Sequence, residues 1–199
     1  MIWQILVALI LGIILAVLGL VPDIFAANLD TVLTAMLCLL LFIIGLDLSQ
    51  NRTVIAEIRR LGIKILLLPL FIACGSIVGG LAASFVVGLS PAYGMAIGAG
   101  FGWYSLSGIM LTTMVGADVG TMALLSNVFR EILSIMMLPL VVKYFGKIAS
   151  VAPGGATTMD TTLPFVVKYA GSEMSIVAFI SGVVLSILVV FLVPALAGL

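Results

Sequence analysis

Residues 126–140 read SNVFREILSIMMLPL, and this stretch decides how the rest of the chain is read. Asn127, Arg130, Glu131 and Ser134 stand at offsets of 0, 3, 4 and 7 in an otherwise apolar span, which puts all four on one helical face. Ionisable groups at membrane depth are costly, so they face a bundle interior or a water-filled path and mark transport routes. A second interruption, PGGATTMDTTLP at 153–164, carries Asp160 among threonines. Together the two stretches point to a transporter rather than a passive anchor.

Composition requires a membrane. The 199 residues are 64% hydrophobic and 8% charged, and mean hydropathy is +1.44. A soluble domain is nearer half apolar and a quarter charged. Apolar spans run at roughly 2–20, 31–49, 62–88, 121–142 and 173–195, each near the ~20 residues that cross a bilayer. The expected fold is an all-α integral membrane protein, a multi-span helical transporter bundle in one domain over 1–199. The first span lacks the basic flank and cleavage site of a signal peptide, so it is expected to be retained.

Several function classes drop out. Net charge is zero, so no nucleic-acid surface is expected. Histidine is absent, so a proton relay must rest on carboxylates and water. Cys38 and Cys74 lie in apolar spans and read as packing residues, and no CxxC or His/Cys cluster suggests zinc. Neither HExxH nor GxSxG is present, so an enzyme is not expected.

Charge also bears on topology. The connection 50–64 carries Arg52, Arg59, Arg60 and Lys64 and is expected to be cytoplasmic, with the N-terminus on the same side. The stretch 91–116 is apolar but broken by FGWYSLSG. If it crosses, Lys143 and Lys147 fall outside. If it enters and returns, both fall inside, and Lys168 joins them once 153–167 also re-enters. The charge rule favours two re-entrant segments, and either topology leaves the C-terminus outside. Such backbone is tolerated only where it is buried in protein or lines a cavity. Gly94, Gly98 and Gly102 recur every four residues, and Gly75 with Gly79 repeats that spacing, which suits close helix approach.

Three strings in this order, GFGWYSLSGIML at 100–111, REIL at 130–133 and GGATTMDTTLP at 154–164, resemble the lysine exporter LysO family of prokaryotic inner-membrane proteins. The resemblance covers about residues 30–195. It implies export of L-lysine and its toxic analogue thialysine by proton antiport, with H+ as the coupling ion and no cofactor. Family members carry further N-terminal spans, so the likeness is to their C-terminal domain. Whether such a chain works alone, as a homodimer or with a separate small N-terminal membrane subunit stays open.

A lysine site needs a carboxylate for an ammonium group and something electropositive for the substrate's carboxylate. Glu131 is the candidate cation partner. Its bland alternative is an ion pair with Arg130 or another helix, although adjacent helical residues do not face each other. Arg130 is either that counter-charge or a clamp for the substrate carboxylate. Asp160, with Thr157, Thr158 and Thr161, is either a second binding carboxylate or a helix N-cap. Two carboxylates on separate elements can share an ammonium group and a proton, which gives exchange without a metal. Trp103 and Tyr104 offer a cation–π contact of ~0.5–2 kcal/mol or belong to an interfacial belt. Ser105 and Ser107 can bond the substrate carboxylate, and Asn127 is expected to orient Glu131 rather than merely bridge helices. Asp47 lies near a helix C-terminus, where the macrodipole disfavours it, and joins the site list with Arg52 as its cation. Rival readings are a sodium-coupled organic-anion carrier and a non-transporting scaffold or assembly subunit.

Overall fold

A computed structural model describes residues 2–20, isolated positions between 22 and 42, and 63–199. Asp47, Cys38, Arg52, Arg59, Arg60 and most of the expected span 31–49 lie outside the described residues. The helices are α1 (Ile2–Val17), α2 (Leu67–Val87), α3 (Pro91–Gly98), α4 (Tyr104–Met114), α5 (Ala117–Phe145), α6 (Leu163–Ala170) and α7 (Met174–Ala197). A short helical turn, Val151–Gly154, runs into a 3-10 turn, Gly155–Met159. No strand occurs among the described residues. The helices α2, α5 and α7 are long and apolar enough to cross a membrane. At 16 residues α1 is shorter than the expected first span and than the ~20 residues of a typical crossing.

The course of the chain follows from which residues meet. The helices α2 and α5 run antiparallel: Leu68 shares a cleft wall with Met137, Ser76 meets Arg130, and Val87 lies by Met122. Gly88 (φ 73°) ends α2 in a left-handed turn, and Pro91 starts α3 with a φ already suited to a helix. Then α3 runs back down α2, Gly94 against Ser84 and Gly98 against Ser76. After a break at 99–103, α4 climbs the first half of α5, with Ser107 at Asn127 and Thr112 beside Gly120. This first hairpin therefore returns to the end of the bundle where it entered, the end that carries Asp118.

The second hairpin is its opposite. It leaves the far end of α5, reaches the middle of the bundle at Pro153–Asp160 and returns through α6 to Glu173, which pairs with Lys147 at 2.6 Å. From there α7 runs past the second tip at Ala178, Gly182 and Ser186. The two tips touch: the Ala156 N–H donates to the Phe101 carbonyl at 2.8 Å. Lys64, Lys143, Lys147 and Lys168 all belong to the end from which the second hairpin enters.

Small residues make the close approaches. A Cβ on Gly80 would lie 2.2 Å from the Gly94 carbonyl oxygen, so α2 and α3 are in backbone contact there. Gly75 and Gly79, expected to serve this role, have no described residue within 4 Å of an added Cβ. The residue one position on does the packing, because α3 lies over the next face of α2.

Beside Lys147, the Glu173 carboxyl is held below the usual glutamate range by its hydrogen bond to the ammonium group. Its contribution to stability is full above the ordinary glutamate pKa and is lost as pH falls through the lowered value. Both side chains are exposed, so the effect is small. Lys147→Gln is expected to leave the melting temperature at neutral pH essentially unchanged in a thermal-unfolding scan.

Candidate functional site

The middle of α5 meets both hairpin tips. Its buried stripe runs Gly120, Ala123, Asn127, Glu131, Ser134 and Leu138, an i, i+3/i+4 progression that turns the polar residues inward. Arg130 sits on the edge of that arc and faces α2 instead. The shared face predicted for all four residues therefore splits, with Arg130 and Glu131 addressing different neighbours.

Glu131 is 1% exposed, and neither carboxylate oxygen has a hydrogen-bond partner among the described residues. Thr161 lies beside it, near enough for its hydroxyl to act on the carboxylate, although that hydroxyl makes no hydrogen bond of good geometry among the described residues. Asp160 is within electrostatic reach of Glu131, and both carboxylates act on the buried Tyr104 hydroxyl. No salt bridge joins Glu131 to Arg130 or to any other described residue. The ion-pair alternative is thus not what the described residues form.

Asp160 is exposed at the second tip. Its Oδ1 accepts from the Thr161 N–H at 2.5 Å, and α6 starts after Thr162 with no side-chain cap. Asp160 therefore does not cap α6, and the N-cap alternative falls. It lines a small pocket of about 70 Å3 with Trp103, Ala156, Thr157 and Met159. Trp103 is half-buried at the first tip, against the second, rather than near a bundle end where an interfacial belt would be. Ser105 is half-buried on α4.

Other candidates are spent on architecture. Asn127 does not orient Glu131; it holds the first tip. Its Oδ1 accepts from the Gly102 N–H at 2.7 Å, and Nδ2 donates to the Ala123 carbonyl at 2.9 Å and the Ser107 hydroxyl at 3.2 Å. Ser107 donates in turn to the Trp103 carbonyl at 2.8 Å, so it is committed internally. Thr158 donates to Gly155 and Ala178 carbonyls, tying the second tip to α7. Thr157 donates to Gly154 and sits 3.3 Å from the Thr162 hydroxyl. Asn127→Ala leaves the buried Gly102 N–H without an acceptor, which costs about 1–3 kcal/mol. Its melting temperature is expected to fall clearly below that of wild type in the same detergent.

Arg130 stitches the hairpins together. Its Nε donates to the Pro153 carbonyl at 3.0 Å, Nη2 to the Ala152 carbonyl at 3.4 Å and Nη1 to Ser76 Oγ at 2.6 Å. Ser76 then donates to the Gly98 carbonyl at 2.8 Å, reaching the first hairpin. Sequence reasoning missed Ser76, because a lone serine in an apolar span gives no signal of its own. Thr162, one of the threonines flanking Asp160 in the TTMDTT pattern, proves to be fully buried against the Thr157 hydroxyl.

Comparison with known proteins now bears on this geometry. The family model described as "Lysine exporter LysO" matches residues 6–197. The chain belongs to the lysine exporter LysO family. It is 36% identical over 161 residues to the lysine exporter LysO of Escherichia coli (strain K12), covering 79% of this chain and 52% of that protein. It is 33% identical over 149 residues to a putative lysine exporter of Haemophilus influenzae, covering 75% of each. The chain thus spans about half the length of the first of these relatives. No solved structure matches it. The three strings that resemble the LysO family prove to be the first tip with α4, the middle of α5 and the second tip, which are the parts that meet.

Proposed function

We propose that this chain forms a single transmembrane transport domain that exports L-lysine, and analogues such as thialysine, across the prokaryotic cytoplasmic membrane in exchange for protons. The observation that carries this reading is Glu131, buried without a hydrogen-bond partner among the described residues where two opposed hairpins meet. A carboxylate at that depth needs a cation or a proton to match its charge. Substrate ammonium and proton can serve in turn, and their competition is the hypothesised coupling step.

Asp160 supplies the second carboxylate, reached through the pocket beside Trp103. An ammonium group leaving Glu131 passes Tyr104 and Thr161 on its way to Asp160. Protonation of the carboxylates on the outer side then releases the substrate. H+ is the coupling ion, and no cofactor takes part.

The orientation follows the charge bias. The end bearing Lys64, Lys143, Lys147 and Lys168 faces the cytoplasm, and the Asp118 end faces outward. Both hairpins are then re-entrant, the N-terminus is cytoplasmic and the C-terminus lies outside. Reconstitution tests the reading: purified chain in proteoliposomes is expected to show lysine flux that grows with an imposed pH gradient. Flux only after adding a separate small N-terminal membrane subunit, or only from a cross-linked homodimer, would identify the working assembly.

A further inference from the structure

Arg130 carries a charge that the lysine mechanism above does not use. A guanidinium has five N–H donors and no acceptor. Here Nε, one N–H of Nη1 and one of Nη2 are taken by Pro153, Ser76 and Ala152. Among the described residues, one N–H on each terminal nitrogen has no acceptor, and every partner is a neutral oxygen. No carboxylate among the described residues lies within ion-pair distance of it. Unmatched charge at membrane depth is costly, so an anionic group arriving there gains both the charge and the free donors.

The surroundings leave room for one. Arg130 lines a cleft of about 940 Å3 between α2 and α5, with Ser76, Ser126 and Pro153 near it. Gly75 and Gly79 form the facing wall, and their missing side chains keep that wall open. The guanidinium also reaches the hairpin junction itself, since a Cβ on Gly155 would lie 3.1 Å from Nη2. Arg130 and Glu131 are neighbours in sequence but diverge by ~100° around α5, so they approach the junction from two sides with opposite charges.

We infer that Arg130 receives the substrate's carboxylate, so that the site selects amino acids with a cationic side chain over diamines of the same length. This rests on the lysine reading and adds a requirement to it. Bidentate pairing with a carboxylate is what a guanidinium does best, and loss of such a pair is not restored by a lysine side chain. Arg130 also holds the second hairpin, so a purely positional role has to be told apart from a direct one.

Binding of L-lysine and of cadaverine, which is lysine without its carboxylate, is to be measured by titration of the purified full chain. The wild type is expected to prefer lysine by about ten- to a hundredfold, the size of a charge-assisted contact. Arg130→Gln should collapse that ratio toward one by weakening lysine much more than cadaverine, and Arg130→Lys should fall between. A wild type that binds both equally overturns the inference, as does a variant that weakens both ligands in parallel. A wild type that binds neither overturns the lysine reading and this inference with it. If the glutamine variant fails to fold, Arg130→Lys decides, since a lysine-to-cadaverine ratio equal to that of the wild type overturns the inference.

Discussion

Glu131→Gln is expected to abolish pH-driven lysine flux in proteoliposomes, lowering it at least about a hundredfold, while the protein melts no lower than wild type. The two halves of that result come from one observation. Both carboxylate oxygens are buried without a hydrogen-bond partner among the described residues, so no native bond is lost when the charge is removed. Taking away an unmatched buried charge is neutral or stabilising. Glutamine keeps the shape but can hold neither a proton for exchange nor an ammonium group as a counter-ion. Loss of a charged hydrogen bond alone, about 1.5–3 kcal/mol, lowers affinity by about ten- to a hundredfold, and loss of the coupling proton adds to it. Asp160→Asn should weaken coupling as well, through the exposed end of the same path. If both variants keep proton-coupled flux, the two-carboxylate mechanism is wrong. A Glu131→Gln protein that unfolds more easily than wild type would instead mark the residue as structural.

The second large effect is at a glycine. In Gly155→Ala the new Cβ would lie 2.3 Å from the Phe101 carbonyl oxygen, at a residue whose φ is 62°. A left-handed conformation costs a side-chain-bearing residue about 1–2 kcal/mol. Overpacking against backbone that cannot move aside adds about 1–3 kcal/mol. The carbonyl in the way is the one that accepts the Ala156 N–H, so the substitution drives apart the two tips at their one backbone hydrogen bond among the described residues. Loss of transport together with a lower melting temperature is expected. Gly75→Ala is the control, because no described residue lies within 4 Å of its added Cβ. Equal behaviour of the two variants, in melting and in flux, would contradict the tip-to-tip arrangement.

Much of this fold is legible in the sequence because hydrocarbon imposes simple rules. The apolar runs at 62–88, 121–142 and 173–195 become α2, α5 and α7 with ends shifted by a few residues. Caps and turns account for the shifts, which hydropathy does not register: α5 begins at Ala117, directly after Gly116 at φ 137°. The breaks at FGWYSLSG and GGATTMDTT are equally visible, since glycines and hydroxyls interrupt an apolar pattern for a reason. What they fold against is not visible. Gly80 rather than Gly79 meets α3, a difference of one residue that depends on how α3 lies over α2.

The candidate site was legible as a set of residues and much less as a set of roles. Four polar positions at 0, 3, 4 and 7 occupy an arc of ~100°, and a helical wheel treats that arc as one face. In three dimensions its edges touch different elements, so Arg130 goes to α2 and the second hairpin while Glu131 goes to the hairpin junction. Asn127 gives three of its contacts to the first hairpin, at Gly102, Ser107 and Ile97, and one to Ala123 on its own helix, a fact that no spacing rule contains. Ser107, Thr157 and Thr158 likewise satisfy backbone carbonyls, because a broken helix inside a membrane must find partners for the groups it frees. Glu131 stands out because it lacks such a partner among the described residues.

The most direct test of the central claim is lysine counterflow in proteoliposomes that contain this chain, with and without an imposed pH gradient. Exchange of lysine that accelerates when the gradient drives protons against it is the predicted result. Lysine exchange indifferent to the gradient, with Glu131→Gln indistinguishable from wild type, would contradict the account.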